Sequence, residues 1–199
     1  MMRIGPAILF SVALLVVGAC DKGKKDNKAG GAPPVAQKDG ADGLKAFFQS
    51  SLAACAQKDY AKGKALVMSV IPSKDHLKKL FKDEVTDPEL TQLSEQFKEL
   101  PPSDEKAACV FAPEGRTEIR VHLSSVEDLA AYKEGTPAFE EFPGGARKLA
   151  EKVLKPGNTF YEVEVTEPGK EQGTKYHMFF WDGGQWRMMG PAWRVLKPE

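Results

Sequence analysis

The side chains best suited to chemistry in this sequence are three cysteines and three histidines. The histidines are His76, His122 and His177, and none stands at the close spacing from another His or Cys that a metal site needs. The chain also lacks a G-x-S-x-G nucleophile elbow, a phosphate-binding loop and a dinucleotide fingerprint. We therefore predict no metal, no cofactor and no catalytic residue, and we favour a protein that is not an enzyme over one that is.

The first cysteine, Cys20, follows an apolar segment over residues 4–19 that ends in the small residues Gly18 and Ala19. Arg3 gives this segment a positive start, as in export signals. Its length of 16 residues is less than the roughly 20 that a helix needs to span a bilayer core. The pattern therefore predicts a cleaved signal peptide over residues 1–19 rather than a permanent transmembrane anchor.

The four residues Val17-Gly18-Ala19-Cys20 resemble the lipobox of bacterial lipoproteins. The resemblance covers residues 1–20 and implies that the Cys20 sulfur receives a diacylglycerol, that the chain is cut just before it, and that the new amine is often acylated. It implies a domain that lies outside the cytoplasm, in the cell envelope, with the membrane as its partner. Asp21 is similar to the inner-membrane retention signal of enteric bacteria, so we expect the inner membrane, with the outer one as the alternative.

The two remaining cysteines, Cys55 and Cys109, form an even pair in a chain predicted to be exported. We predict that they form a disulfide, which would contribute about 4 kcal/mol in the loop-entropy description. Two buried free thiols are the alternative, because cysteine also packs well as a small apolar residue.

Residues 20–42 show no apolar periodicity and are rich in Lys, Asp, Gly, Ala and Pro, which predicts a flexible tether behind the lipidated cysteine. Residues 43–199 form the predicted globular domain. Loss of residues 1–19 removes one basic side chain, Arg3, and leaves 27 basic against 28 acidic side chains. This balance does not favour nucleic acid as a partner.

The domain is predicted to be α+β, with N-terminal helices followed by a mostly antiparallel sheet that ends in a C-terminal β-meander. Apolar residues recur at helical spacing through the first half as far as Leu100, and Cys109–Phe111 is predicted as a short strand. Strands are predicted over 117–123, 159–165, 175–181 and 185–196. This order of elements is similar to the cone-shaped folds of the nuclear-transport-factor-like superfamily and of cystatin-like proteins.

The last hairpin, around Asp182-Gly183-Gly184, carries the most informative side chains of the domain. Strict alternation would place five of them on one face, which we predict to be a binding patch or pocket: His177, Phe179, Trp181, Trp186 and Met188. A plain packing role is the alternative, because helices can cover both faces of such a sheet.

The leading hypothesis is a membrane-anchored envelope lipoprotein whose domain binds a protein, a lipid or a small ligand. One alternative is a small hydrolase or isomerase with a pocket in a cone-shaped fold, in which His177 or His122 acts as base beside a carboxylate. A purely structural accessory protein is the other.

Overall fold

A computed structural model of the chain describes residues 37–97 and 101–198. The predicted signal peptide, Cys20 and most of the predicted tether lie outside these ranges, as does Leu100. Within the described ranges, no helix is long and apolar enough to cross a membrane.

Five helices make up the first half of the described chain: α1 (Gly40–Ala56), α2 (Tyr60–Ser69), α3 (Lys74–Lys78), α4 (Asp87–Glu95) and α5 (Asp104–Ala108). The break between α1 and α2 lies at Lys58, whose φ of 57° is left-handed, and at Asp59, whose side chain caps α2. Ser73 caps α3 through the amide of His76. Polar caps of this kind satisfy amides that have no partner inside the helix.

The predicted disulfide between Cys55 and Cys109 is confirmed, with an S–S distance of 1.97 Å. It links the last turn of α1 to the residue that ends α5. Cys109 is therefore part of a helix end, and the predicted short strand over 109–111 is wrong. The adjacent α2 and α5 pack so closely that a Cβ on Gly63 would lie 2.8 Å from the Ala108 carbonyl oxygen.

The second half carries a four-stranded antiparallel sheet in the order β1-β2-β3-β4, with four short helices around it. The strands are β1 (Glu118–Ser125), β2 (Thr159–Thr166), β3 (Gly173–Trp181) and β4 (Trp186–Met188). The helices are α6 (Val126–Ala131), α7 (Pro137–Glu140), α8 (Gly144–Lys152) and α9 (Trp193–Leu196). The predicted α+β class, with helices first and an antiparallel sheet later, is confirmed.

The last predicted strand ends earlier than expected. The sequence predicts a strand over residues 185–196, but β4 stops at Met188 and the chain turns into α9. Gly190 has a φ of 63°, and Pro191 has no amide hydrogen to donate to a ladder. Together they end the strand.

Two apolar clusters hold the sheet between layers of helices. In the first, α1 and α2 pack on one face of the sheet through Phe47, Phe48, Leu66 and Val67. In the second, side chains of α3, α4, α6, α7, α8 and α9 cover part of the other face, where they meet Phe160, Met178 and Phe180. The rest of this second face is polar, and it carries the candidate site.

Candidate functional site

Three strands place a grid of polar side chains on the second face of the sheet. The register pairs Arg120 with Glu164 and Glu164 with Lys175, so that one row reads Arg–Glu–Lys across β1, β2 and β3. In the next row, His122 is paired with Glu162. His177 of β3 completes that row through a contact with Glu162. We call these six residues the polar grid: Arg120, His122, Glu162, Glu164, Lys175 and His177.

The position of His177 depends on a β-bulge in β3. Tyr161 is opposite Phe179 and Val163 is opposite Tyr176, so the single residue Glu162 faces both His177 and Met178. Met178 has a φ of 60°, which is left-handed and uncommon for a residue with a long side chain. Because the extra residue shifts the alternation of the strand by one position, His177 points to the face opposite Phe179.

The bulge contradicts one part of the predicted patch, namely that His177 shares a face of the sheet with the other four residues. Phe179 and Trp186 are fully buried in the first apolar cluster, where half-buried Trp181 and Met188 also pack. Only His177 lies on the polar face. Trp186 is held further by residues before α1, since its indole Nε1 donates to the Lys38 carbonyl at 3.1 Å and its amide donates to Gln37 Oε1 at 2.6 Å.

Glu162 and His177 form the tightest polar contact of the grid. Nδ1 of His177 lies 2.6 Å from Glu162 Oε2, and the Met178 amide donates to Glu162 Oε1 at 3.3 Å. Glu162 is 1% exposed, whereas the His177 side chain is 29% exposed. Burial raises the pKa of Glu162, and the hydrogen bond from His177 offsets only part of this effect. The Trp193 ring of α9 packs edge-on against the His177 ring, which fixes its orientation.

Glu164 lies in the neighbouring row and is also buried, at 6% exposure. Its Oε1 accepts a hydrogen bond from the Gly173 amide at 2.8 Å, and its Oε2 lies 3.8 Å from Arg120 Nη1. The guanidinium of Arg120 also donates to the carbonyl oxygens of Lys170 at 2.7 Å and Glu171 at 2.9 Å. Arg120 therefore connects the grid to the β2–β3 loop.

Glu141, the residue after α7, closes one side of the grid. Its Oε2 lies 2.8 Å from Lys175 Nζ and 3.8 Å from His122 Nε2. Burial disfavours the charged form of Glu141, but the hydrogen bond from Lys175 and the charges of His122, Lys175 and Arg120 outweigh it and lower its pKa. His122 Nε2 is buried and makes no hydrogen bond within the described part of the chain.

Above the grid lies an open groove of about 400 Å³. Eight residues line it: Arg120, His122, Glu141, Glu164, Glu171, Gln172, Gly173 and Lys175. Its volume is within the range of small-molecule sites. Across residues 37–97 and 101–198, no group of three or more His, Cys, Asp or Glu side chains is arranged to hold a metal ion.

Most residues of the groove were missed by sequence reasoning, although a signal for them was present. In β2, Glu162 and Glu164 alternate with the apolar Tyr161, Val163 and Val165, which indicates a polar face on a central strand. Glu141 carries no such signal, because only the packing of α7 against β1 brings it to the sheet. The sequence matches no protein-family model and no curated protein, and the fold matches no solved structure.

Proposed function

We propose that this protein is a lipid-anchored binding protein of a bacterial cell envelope, and that its ligand occupies the groove over the polar grid. The anchor is supported by the sequence around Cys20, which resembles a lipobox. The binding role is supported by the groove.

One observation carries the binding role: charged side chains are concentrated and buried on a part of the sheet that the helices leave uncovered. Glu162 and Glu164 are 1% and 6% exposed. Taking a carboxylate out of water is unfavourable unless it is well paired. Of these two, Glu164 lines the groove. Glu141 also lines it and has a lowered pKa, and perturbed ionisable groups that line a cleft are typical of functional sites.

The lipid anchor is tested by Cys20→Ser in the native host. Wild-type protein should incorporate labelled fatty acid and sediment with membranes, and the variant should do neither. The matched control is the double variant Cys55→Ser and Cys109→Ser, which removes the other two cysteines and should leave labelling intact. A Cys20→Ser protein that is still labelled and still sediments would rule out this anchor.

The groove is tested by photo-crosslinking in living cells. A benzophenone amino acid at Gln172, on the groove, should give a discrete adduct with the ligand. The same group at Met68 is the control, because Met68 is 49% exposed on α2, a helix that packs on the opposite face of the sheet. Absence of an adduct at Gln172, or equal adducts at both positions, would contradict binding in the groove.

A second candidate function, general-base catalysis, is favoured by the contact between His177 and Glu162. A carboxylate on Nδ1 orients an imidazole and leaves Nε2 free to accept a proton. Hydrolysis of p-nitrophenyl acetate tests this reactivity. The rate above buffer should be lost in His177→Ala. It should be kept in His76→Ala, because His76 lies in α3 and does not line the groove. Equal rates in the two variants would exclude His177 as the base.

A further inference from the structure

We infer that the groove binds a neutral, polyhydroxylated ligand, the chemistry of a sugar chain, in preference to a small ion. This inference rests on the proposed binding function and specifies its ligand. It follows from how the charges of the groove are already used.

The cations of the groove are occupied by protein partners. Lys175 Nζ lies 2.8 Å from Glu141 Oε2. Two guanidinium nitrogens of Arg120 each donate to a backbone carbonyl, at 2.7 and 2.9 Å. An anionic ligand would have to compete with these partners for the same donors. Because the cations of the groove already have protein partners, the groove is poorly suited to an isolated phosphate or carboxylate.

The carboxylates are occupied in the same way, but only in part. Glu164 receives the Gly173 amide on one oxygen and faces Arg120 with the other. Glu141 meets both Lys175 and His122 through one oxygen, Oε2. A carboxylate has about four acceptor positions. Each of these groups can therefore accept a further hydrogen bond from a hydroxyl group and still keep its ion pair.

His122 provides the most specific indication. Its Nε2 is buried without a hydrogen bond among the described residues, and it lies 3.8 Å from Glu141 Oε2, too far for a direct bond. A hydroxyl group can satisfy both atoms at once, because it donates to the carboxylate and also bonds to the imidazole nitrogen. A modest movement of the Glu141 side chain, which is 25% exposed, would admit it.

The electrostatic balance of the groove leads to the same ligand class. Two permanent cations, Arg120 and Lys175, lie among three carboxylates, those of Glu141, Glu164 and Glu171. They leave one net negative charge, which disfavours an anionic ligand, and the alternation of opposite charges across the strands weakens the field that a ligand meets. We therefore expect binding through short-range hydrogen bonds and little dependence on ionic strength.

The test is an amide NMR titration of the full chain carrying Cys20→Ser, with its disulfide formed. Three tetrasaccharides of equal length serve as probes: neutral tetra-N-acetylchitotetraose, cationic glucosamine tetramer and anionic tetragalacturonate. The neutral probe should shift the amides of residues 171–175, and its Kd should change less than twofold between 20 and 300 mM NaCl. Glu141→Gln and His122→Phe should each weaken its binding at least tenfold. Asp104→Asn, which alters an exposed carboxylate on α5, should not.

The outcomes separate the ligand class from the binding function. Binding of a charged tetramer with a steep salt dependence, and none of the neutral one, would overturn the ligand class and keep the groove as a binding site. A Gln172 crosslink without any shift by the neutral tetramer would also overturn the ligand class. Absence of both the Gln172 crosslink and an amide shift by any tetramer would overturn the proposed function as well. Unfolding curves of Glu141→Gln and His122→Phe that match wild type would show that lost binding is not lost folding.

Discussion

His177 Nδ1 lies 2.6 Å from the Oε2 atom of Glu162, a glutamate that is 1% exposed in the central strand of the sheet. The contact lies where the polar face of the sheet meets the apolar core, since Met178, the next residue in β3, is fully buried. Burial of Glu162, opposed in part by this contact, makes the protonation of its carboxyl depend on the fold.

We predict that Glu162 contributes more to the stability of the folded protein as the pH falls. Its pKa in the folded state is raised by burial above the ordinary value of 4.5. The folded state therefore holds this proton more tightly than the unfolded state does. The stabilising contribution of Glu162 is complete below about pH 4.5 and is lost as the pH rises through the raised pKa.

Glu162→Gln is the matched variant, because it keeps the shape of the side chain and removes the titration. Urea unfolding at several values between pH 4 and pH 8 should show wild type gaining stability relative to Glu162→Gln as the pH falls towards 4.5. A difference that stays constant over this range, or that grows with rising pH, would be inconsistent with a raised pKa.

Asp182 should contribute strongly to the stability of the fold because it neutralises a buried arginine. Arg187 is 9% exposed, and its Nε lies 2.8 Å from Asp182 Oδ2. Asp182→Asn keeps the shape of the turn but leaves the guanidinium without its counter-ion, which should destabilise the fold by about 3 kcal/mol in chemical denaturation.

The control for this pair is Asp104→Asn, because Asp104 lies 3.0 Å from its partner Lys64, a similar distance, but at the surface. Its effect should be small, as for most exposed ion pairs. Burial disfavours the charged form of Asp182, but Arg187 and the Gln185 and Gly184 amides outweigh it, so its pKa is lowered below 3.8. Its stabilising contribution is therefore present above that value and is lost only as the pH falls through the lowered pKa. Equal losses of stability in Asp182→Asn and Asp104→Asn would show that burial does not account for the effect of Asp182→Asn.

Gly63 should resist substitution although it lies in a helix. A Cβ there would meet the Ala108 carbonyl oxygen at 2.8 Å and the Ala108 Cβ at 2.9 Å. Alanine improves helix propensity by up to about 1 kcal/mol. Overpacking costs typically about 1–3 kcal/mol, so Gly63→Ala should lower the free energy of unfolding. In Gly144→Ala, at the start of α8, a Cβ meets nothing within 4 Å, and thermal unfolding should be unchanged or slightly higher. A Gly63→Ala protein as stable as Gly144→Ala would refute the close packing of α2 on α5.

The disulfide should be a major source of stability, since it links residues 54 positions apart. Replacing Cys55 and Cys109 together by Ala should cost about 4 kcal/mol in the loop-entropy description. Wild type should lose a similar amount on addition of dithiothreitol, while the double variant should be insensitive to it. Stability of the wild type that is the same with and without reductant would contradict a structural bond.

Much of the architecture was determined by the local sequence. Helical spacing of apolar residues and the two cysteines were sufficient to predict the first helices and the disulfide. Alternation over residues 117–123 predicted β1, because side-chain direction in a strand has a period of two residues. The apolar and aromatic residues after Gly190-Pro191 favour a continuing strand in the sequence, whereas β4 ends at Met188.

The composition of the site was decided only by the tertiary structure. No glycine marks the bulge in β3. Met178 adopts a left-handed conformation because its side chain is buried among the helices of the second cluster and its amide bonds to Glu162. That one residue reverses the face on which His177 lies, and separates it from Phe179 and Trp186. Glu141 joins the groove from a different part of the chain. Strand periodicity is a local property and can be recognised along the sequence, whereas a bulge and a contact between distant segments depend on how the whole domain packs.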